Sequence, residues 1–147
     1  MIQRIQTVYL LISTLLIGFL FLFPFAEIAK DGAIYIFNFH GIVQDGILKQ
    51  NGVFISILIG LIMALQGVAI ISYKNRTRQI RLAVISILLI LSLLGMFFFF
   101  TYYSFSDAQI NFKTGILFPV VAIILDYLAI LAIRKDEALI RSIDRIR

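Results

Sequence analysis

The chain has 147 residues, 61% of them hydrophobic and only 14% charged, with a net charge of +5 and a mean hydropathy of +1.02. Soluble domains are roughly 45 to 50% apolar, so a water-soluble globule of this length is excluded, having no means of hiding so much apolar surface. The absence of cysteine excludes a disulfide framework and thiolate metal sites.

The first apolar block, "VYLLISTLLIGFLFLFPFA" at residues 8–26, is long enough to cross a hydrocarbon core of about 30 Å at about 1.5 Å per residue. It exceeds the apolar core of a cleaved signal peptide, and Glu27 stands where cleavage wants a small residue, so it is expected to be retained as helix one. Pro24 lies near its end, where a missing amide donor costs least.

The segment that follows, residues 27–52, is unusually apolar for a loop. Within it "AIYIFNFH" sets β-branched and aromatic residues in succession between Gly32 and Gly41, a composition that predicts a strand over 33–40. Ile34 and Ile36 then point to one face and Tyr35, Phe37 and Phe39 to the other. A re-entrant or interfacial helix is the competing reading of the same residues.

Residues 53–72 form the second apolar block and residues 82–103 the third. Ser56, Gly60 and Ala64 recur every four residues in the second, a stripe that lets a neighbouring backbone approach. Between the two lies "KNRTRQIR", which places Lys74, Arg76, Arg78 and Arg81 in eight positions without an acid. A short connection makes these two helices antiparallel neighbours.

The second outer segment, 104–115, holds a shorter candidate strand over 109–113. The two candidate strands are expected to pair in a small sheet at the outer mouth of the helices, because lone strands near lipid leave backbone groups unsatisfied. The fourth block covers 115–133, with Pro119 near its outer end. The tail 134–147 continues it without a breaker. Leu139, Ile140, Ile143 and Ile146 fall at helical spacing against Arg141, Asp144, Arg145 and Arg147, which predicts an amphipathic extension for the membrane surface or a partner.

Four spans put both termini on one side, and the basic residues choose it. Arg4, the 74–81 cluster, Arg134, Lys135, Arg141, Arg145 and Arg147 make ten cations on the terminal face, against Lys30, Lys49 and Lys113 on the other. Short loops rich in Lys and Arg stay in the cytoplasm. The basic stretch, with Arg134 and Lys135, is therefore a topology determinant beside anionic lipid headgroups. It is not a nucleic-acid patch, since it has no interleaved aromatics and is pinned to a bilayer.

Asp126 is the one ionisable residue that fits no loop. It lies eight positions before Arg134, about 12 Å into the membrane. A carboxyl there costs about 2.5 to 3.5 kcal/mol on insertion scales, so it should face the interior and find partners. Ala122 and Ala129 flank it with a small-residue face. Gln66 has the same offset from Lys74, Ser13 and Thr14 follow Arg4 by nine and ten positions, and Ser92 follows Arg81 by eleven. These residues form a candidate polar layer, with a Gln66–Asp126 hydrogen bond at its centre. Such a layer either sets helix register or holds a proton, ion or ligand site. His40 is the only histidine, so no multi-histidine metal site exists. Nothing matches a nucleophile elbow, a phosphate-binding glycine loop or paired catalytic acids, and no catalytic, cofactor-binding or metal residue is assigned.

The two ends, "MIQRIQTVYL" and "RKDEALIRSIDRIR", with four spans between them, resemble the uncharacterised bacterial four-span membrane proteins catalogued as domain of unknown function 4293. The resemblance covers the whole chain. It implies the topology and no activity. The expected fold is an all-α membrane protein, a four-transmembrane-helix bundle with a small extracytoplasmic β-sheet and a C-terminal amphipathic helical extension, in one domain. The expected role is a non-enzymatic structural or accessory subunit of the bacterial inner membrane, without cofactor or nucleic acid. Its partners would be membrane lipids and another membrane or envelope protein, or itself. The alternative is a small transport or lipid-binding protein with a polar site around Asp126.

Overall fold

The computed structural model describes residues 5–30, 32–104 and 108–144, with side chains throughout these except at 104 and 139–144. In chain order it contains α1 (Ile5–Phe19), β1 (Ala26–Lys30), β2 (Ala33–Asn38), β3 (Gly41–Gln44), β4 (Ile47–Asn51), α2 (Val53–Ile71), α3 (Arg76–Ser104), β5 (Gln109–Phe112) and α4 (Leu117–Asp144), the last preceded by a 3-10 turn at Thr114–Ile116. The chain is mostly helical and carries one small antiparallel sheet. Among the described residues three segments, Val53–Ile71, Arg76–Tyr103 and Thr114–Ala138, are long and apolar enough to cross a membrane.

Helix α1 packs against α2 and α4, and α3 packs against the same two. The buried positions show why. They fall at 6, 10, 13 and 17 in α1 with 20 just beyond it, at 55, 59, 62, 66 and 69 in α2, at 79, 83, 86, 90, 93, 97 and 101 in α3, and at 119, 122, 126, 129, 130 and 133 in α4. Steps that mostly alternate between four and three keep one seam of each helix facing its neighbours with a slight left-handed twist. Away from the seams the surface is apolar, with Ile57, Leu61, Leu88, Leu91 and Ile124 exposed together with aromatic residues such as Phe54 and Phe99.

Helix one differs from the expected 8–26. Regular helix ends at Phe19, the amides of Leu20, Phe21 and Leu22 bond carbonyls three residues back, and that of Phe23 bonds Phe19. Pro24 has no amide to continue the ladder. The next residue already belongs to the sheet, since Phe25 donates to Phe37 O at 2.8 Å and accepts from the Lys113 amide at 2.9 Å.

The sheet has five strands in the order β4-β3-β2-β1-β5. The strands expected at 33–40 and 109–113 are both present, but they do not pair with each other. Strand β1 lies between them, pairing Ile28 with Tyr35 on one side and with Ile110 on the other. Local composition could not reveal this, because β1 is built from the end of the first apolar block and the loop after it. The β3–β4 hairpin turns at Asp45 and Gly46, with φ of 49° and 78°, the positive values that make Asp-Gly a hairpin signal.

The inner face of the sheet presents Ala26, Phe37 and Ile42, which join Leu20, Ile55 and Phe97 in one core, and Ile28, which is also fully buried. Phe97 anchors it, its ring centroid 3.7 Å from Phe25 and 5.8 Å from Phe37. Two polar contacts seat α2 below the sheet. Asn51 Oδ1 accepts from the Val53 amide at 3.1 Å, and Ser56 Oγ donates to Phe39 O at 2.8 Å. On the sheet surface Lys113 Nζ lies 2.9 Å from Glu27 Oε2.

Helix α3 begins at Arg76, not at residue 82, so the connection to α2 is shorter than expected and Arg76, Arg78 and Arg81 occupy the first turns of the helix. Helix α4 runs to Asp144 without a break. The amphipathic face expected of Leu139, Ile140, Arg141 and Ile143 lies outside the described side chains. Arg4, Asp31, Asp107, Arg145, Ile146 and Arg147 lie outside the described residues.

Candidate functional site

The seams bring four polar side chains to one level: Ser13 from α1, Gln66 from α2, Ser86 from α3 and Asp126 from α4, each with no accessible surface. Gln66 Nε2 donates to Ser13 Oγ at 2.8 Å and to both Asp126 oxygens, at 3.0 Å to Oδ2 and 3.3 Å to Oδ1. Ser13 Oγ in turn donates to the Ala122 carbonyl at 3.3 Å. That reach is possible because Ala122 and Ala129, both completely buried, let α1 approach α4 closely. Ser86 Oγ is enclosed beside the Asp126 carboxyl but completes no hydrogen bond, and Gln66 Oε1 is likewise buried without a partner.

The layer divides the apolar interior. On the sheet side lie Ile17, Ile62, Ile90 and Ala122 with the aromatic cluster. On the other side lie Leu10, Ala69, Ala83, Ala129 and Ile130. Polar groups enclosed between two apolar plugs must satisfy one another, and a hydrogen bond between helices contributes about 0.6 to 1.7 kcal/mol in such a setting. With one carboxyl, one amide and two hydroxyls, the layer can clasp three helices and offers one unused acceptor and one unused hydroxyl.

Two expected members do not join. Thr14 Oγ1 donates to Leu10 O of its own helix at 2.8 Å, satisfying itself one turn back. Ser92 is exposed on the outer surface of α3. Depth measured from Arg81 selected Ser92, but the helix starts at Arg76, and ten positions on from there stands Ser86. Of the Ser56–Gly60–Ala64 stripe only Ser56 packs within the chain, through its bond to Phe39 O. Gly60 and Ala64 are exposed, and a Cβ at Gly60 would meet nothing within 4 Å.

Sequence reasoning also passed over Gln6 and Gln79. Both are buried, at 4% and 0% exposure, with Gln6 Oε1 and both Gln79 amide atoms unpartnered. Their signal was spacing: each stands seven residues before a serine of the layer, on the same seam. Of the basic residues, Lys74, Arg78, Arg81, Arg134 and Lys135 are exposed, whereas Arg76 is half-buried, with Nη1 enclosed and unpartnered.

Comparison with curated proteins and with solved structures gives no match. A family model does match residues 2–146, nearly the whole chain, and the protein belongs to the family described as domain of unknown function DUF4293.

Proposed function

We propose that the chain is a four-span accessory subunit of the bacterial inner membrane, non-enzymatic, with both termini cytoplasmic, that holds a second membrane or envelope protein on the outer face of its sheet. The fourth span is α1 together with the turns up to Phe23. Nineteen residues from Ile5 to Phe23 are about 28 Å long if helical throughout, close to the hydrocarbon thickness. The ten-to-three distribution of cations supports the orientation.

The observation that carries the docking role is the outer face of the sheet. Ile36 pairs with Val43 and Val43 with Leu48, while Ile34 stands two residues along from Ile36 on the same face. Ile34, Ile36 and Leu48 remain 63%, 38% and 48% exposed. On an extramembrane sheet this aliphatic stripe has no lipid to cover it. Contiguous exposed apolar surface rimmed by polar groups marks a protein-binding face.

A partner retained in mild detergent should be lost, by at least about tenfold in yield, from Ile36→Asp, as expected for a charge placed in the centre of an apolar contact. The variant should keep its fold, because the side chain points away from the core. An unchanged set of co-purified proteins from Ile34→Asp and Ile36→Asp would dismiss the docking role.

The orientation is checked with single cysteines on spheroplasts. Lys49→Cys should react with a membrane-impermeant maleimide directly, and Asn75→Cys only after permeabilisation. The reverse pattern would invert the topology.

The unpartnered Gln66 Oε1 and Ser86 Oγ favour a second reading, a proton, ion or small-molecule site around Asp126. Its mark is loss of growth complementation by Asp126→Asn with the fold intact.

A further inference from the structure

At the end of the helices away from the sheet, a cavity of about 940 Å3 opens between α1, α2 and the first turn of α3, bordered by Gln6, Val8, Ile71, Tyr73, Lys74 and Arg76. Its wall is of two kinds. Val8 and Ile71 belong to the outer apolar surface, 50% and 76% exposed. The same wall carries two cations and a buried amide. Arg76 Nη1 is enclosed without an acceptor, and Gln6 Oε1, on a side chain only 4% exposed, is enclosed without a donor. The N-terminus of α3 at Arg76 adds the positive end of a long helix.

An enclosed guanidinium nitrogen without an acceptor favours an anion, since a hydrogen bond to a charged group is worth more than one to a neutral group. An enclosed amide oxygen without a donor favours a hydroxyl. The apolar border favours a hydrocarbon chain. We propose that this cavity binds an anionic phospholipid with a hydroxyl-bearing headgroup: Arg76 and Lys74 hold the phosphate, Gln6 accepts from a headgroup hydroxyl, and the acyl chains run along Val8 and Ile71. Arg78 and Arg81 border an adjoining cavity that holds Glu137 and shares Lys74 and Arg76 with this one, but they do not themselves line this one. The proposal rests on the membrane-spanning reading, which partition of the wild-type chain into carbonate-washed membranes tests by itself.

Purified protein in mild detergent, titrated with phosphatidylglycerol or phosphatidylcholine and read by native mass spectrometry, tests the site. Phosphatidylglycerol should bind at least about tenfold more tightly than phosphatidylcholine. Lys74→Gln should weaken it about fivefold, as one interfacial cation does, and Arg76→Gln about tenfold or more, as loss of a charge-assisted bond does. Gln6→Leu should erase any preference for phosphatidylglycerol over phosphatidic acid, which lacks the headgroup hydroxyls. Arg78→Gln should stay within about twofold of wild type. Lys74 is exposed, so its variant reads the site even where Arg76→Gln perturbs folding. Equal binding of the two lipids, an Arg78→Gln effect as large as that of Lys74→Gln, or displacement of bound lipid by millimolar inorganic phosphate would overturn the proposal, the last by revealing a site for the free anion.

Discussion

Asp126→Leu should destabilise the protein by about 2 to 3 kcal/mol, while Asp126→Asn should cost less than about 1 kcal/mol. The leucine removes the acceptor of one Gln66 N–H and leaves that donor buried, a loss of about 1 to 3 kcal/mol. It also forces a branched side chain into a level bounded by Ala122 and Ala129, both with no accessible surface, and overpacking of this kind adds to the cost. Relief from burying a carboxyl offsets part of the loss. The amide of asparagine keeps an oxygen for Gln66 Nε2 and adds a donor to a layer in which Gln66 Oε1 has no partner at present. Unfolding in detergent measures both variants. A double-mutant cycle with Gln66→Leu should return a coupling of about 0.6 to 1.7 kcal/mol. Equal stability of the leucine and asparagine variants would show that the layer clasps nothing. Growth complementation by Asp126→Asn then separates a structural layer, which tolerates the amide, from a proton-carrying one, which does not.

Gly41→Ala should cost more, at least about 3 kcal/mol, and should detach the β3–β4 hairpin. Gly41 has φ of +125°, a conformation L side chains rarely adopt. An added Cβ would collide with Gln50 O and stand 2.6 Å from the Gly52 nitrogen. Both are backbone atoms, so relief requires the strands to part, breaking the pairing of Gly41 with Asn51 and the Gly52 N–H bond to His40 O at 2.7 Å. Gly60→Ala is the control. It lies mid-helix with open space around it and should gain up to about 1 kcal/mol from the lower backbone entropy cost. Protease protection of the 41–52 segment, compared between the two variants, reads the difference directly. A Gly41→Ala protein as protected as wild type would mean that the hairpin is not held as described.

Glycine at position 41 was visible in the sequence as the end of a candidate strand, but its reason was not. The same division runs through the molecule. Hydropathy determined where α2, α3 and α4 lie, because a segment that must satisfy its backbone within lipid has to be a long apolar helix, a property each segment carries alone. Depth counted from flanking cations determined that Gln66 and Asp126 share a level, for the rise per residue is the same in every helix. That ruler failed where the helix boundary was misplaced. Charged side chains in the first turn of α3 look like loop residues to hydropathy, and the error of about six residues exchanged Ser86 for Ser92. Only the tertiary structure decided that Ala26–Lys30 is a strand, since its ladder partners are residues 33–37 and 109–112. Hydrogen bonds to a segment some eighty residues away leave no trace in local composition. It also decided which buried amides have partners and which, like Gln6, stand unpaired beside Lys74 and Arg76, because pairing depends on how four seams meet and not on the pattern along any one of them.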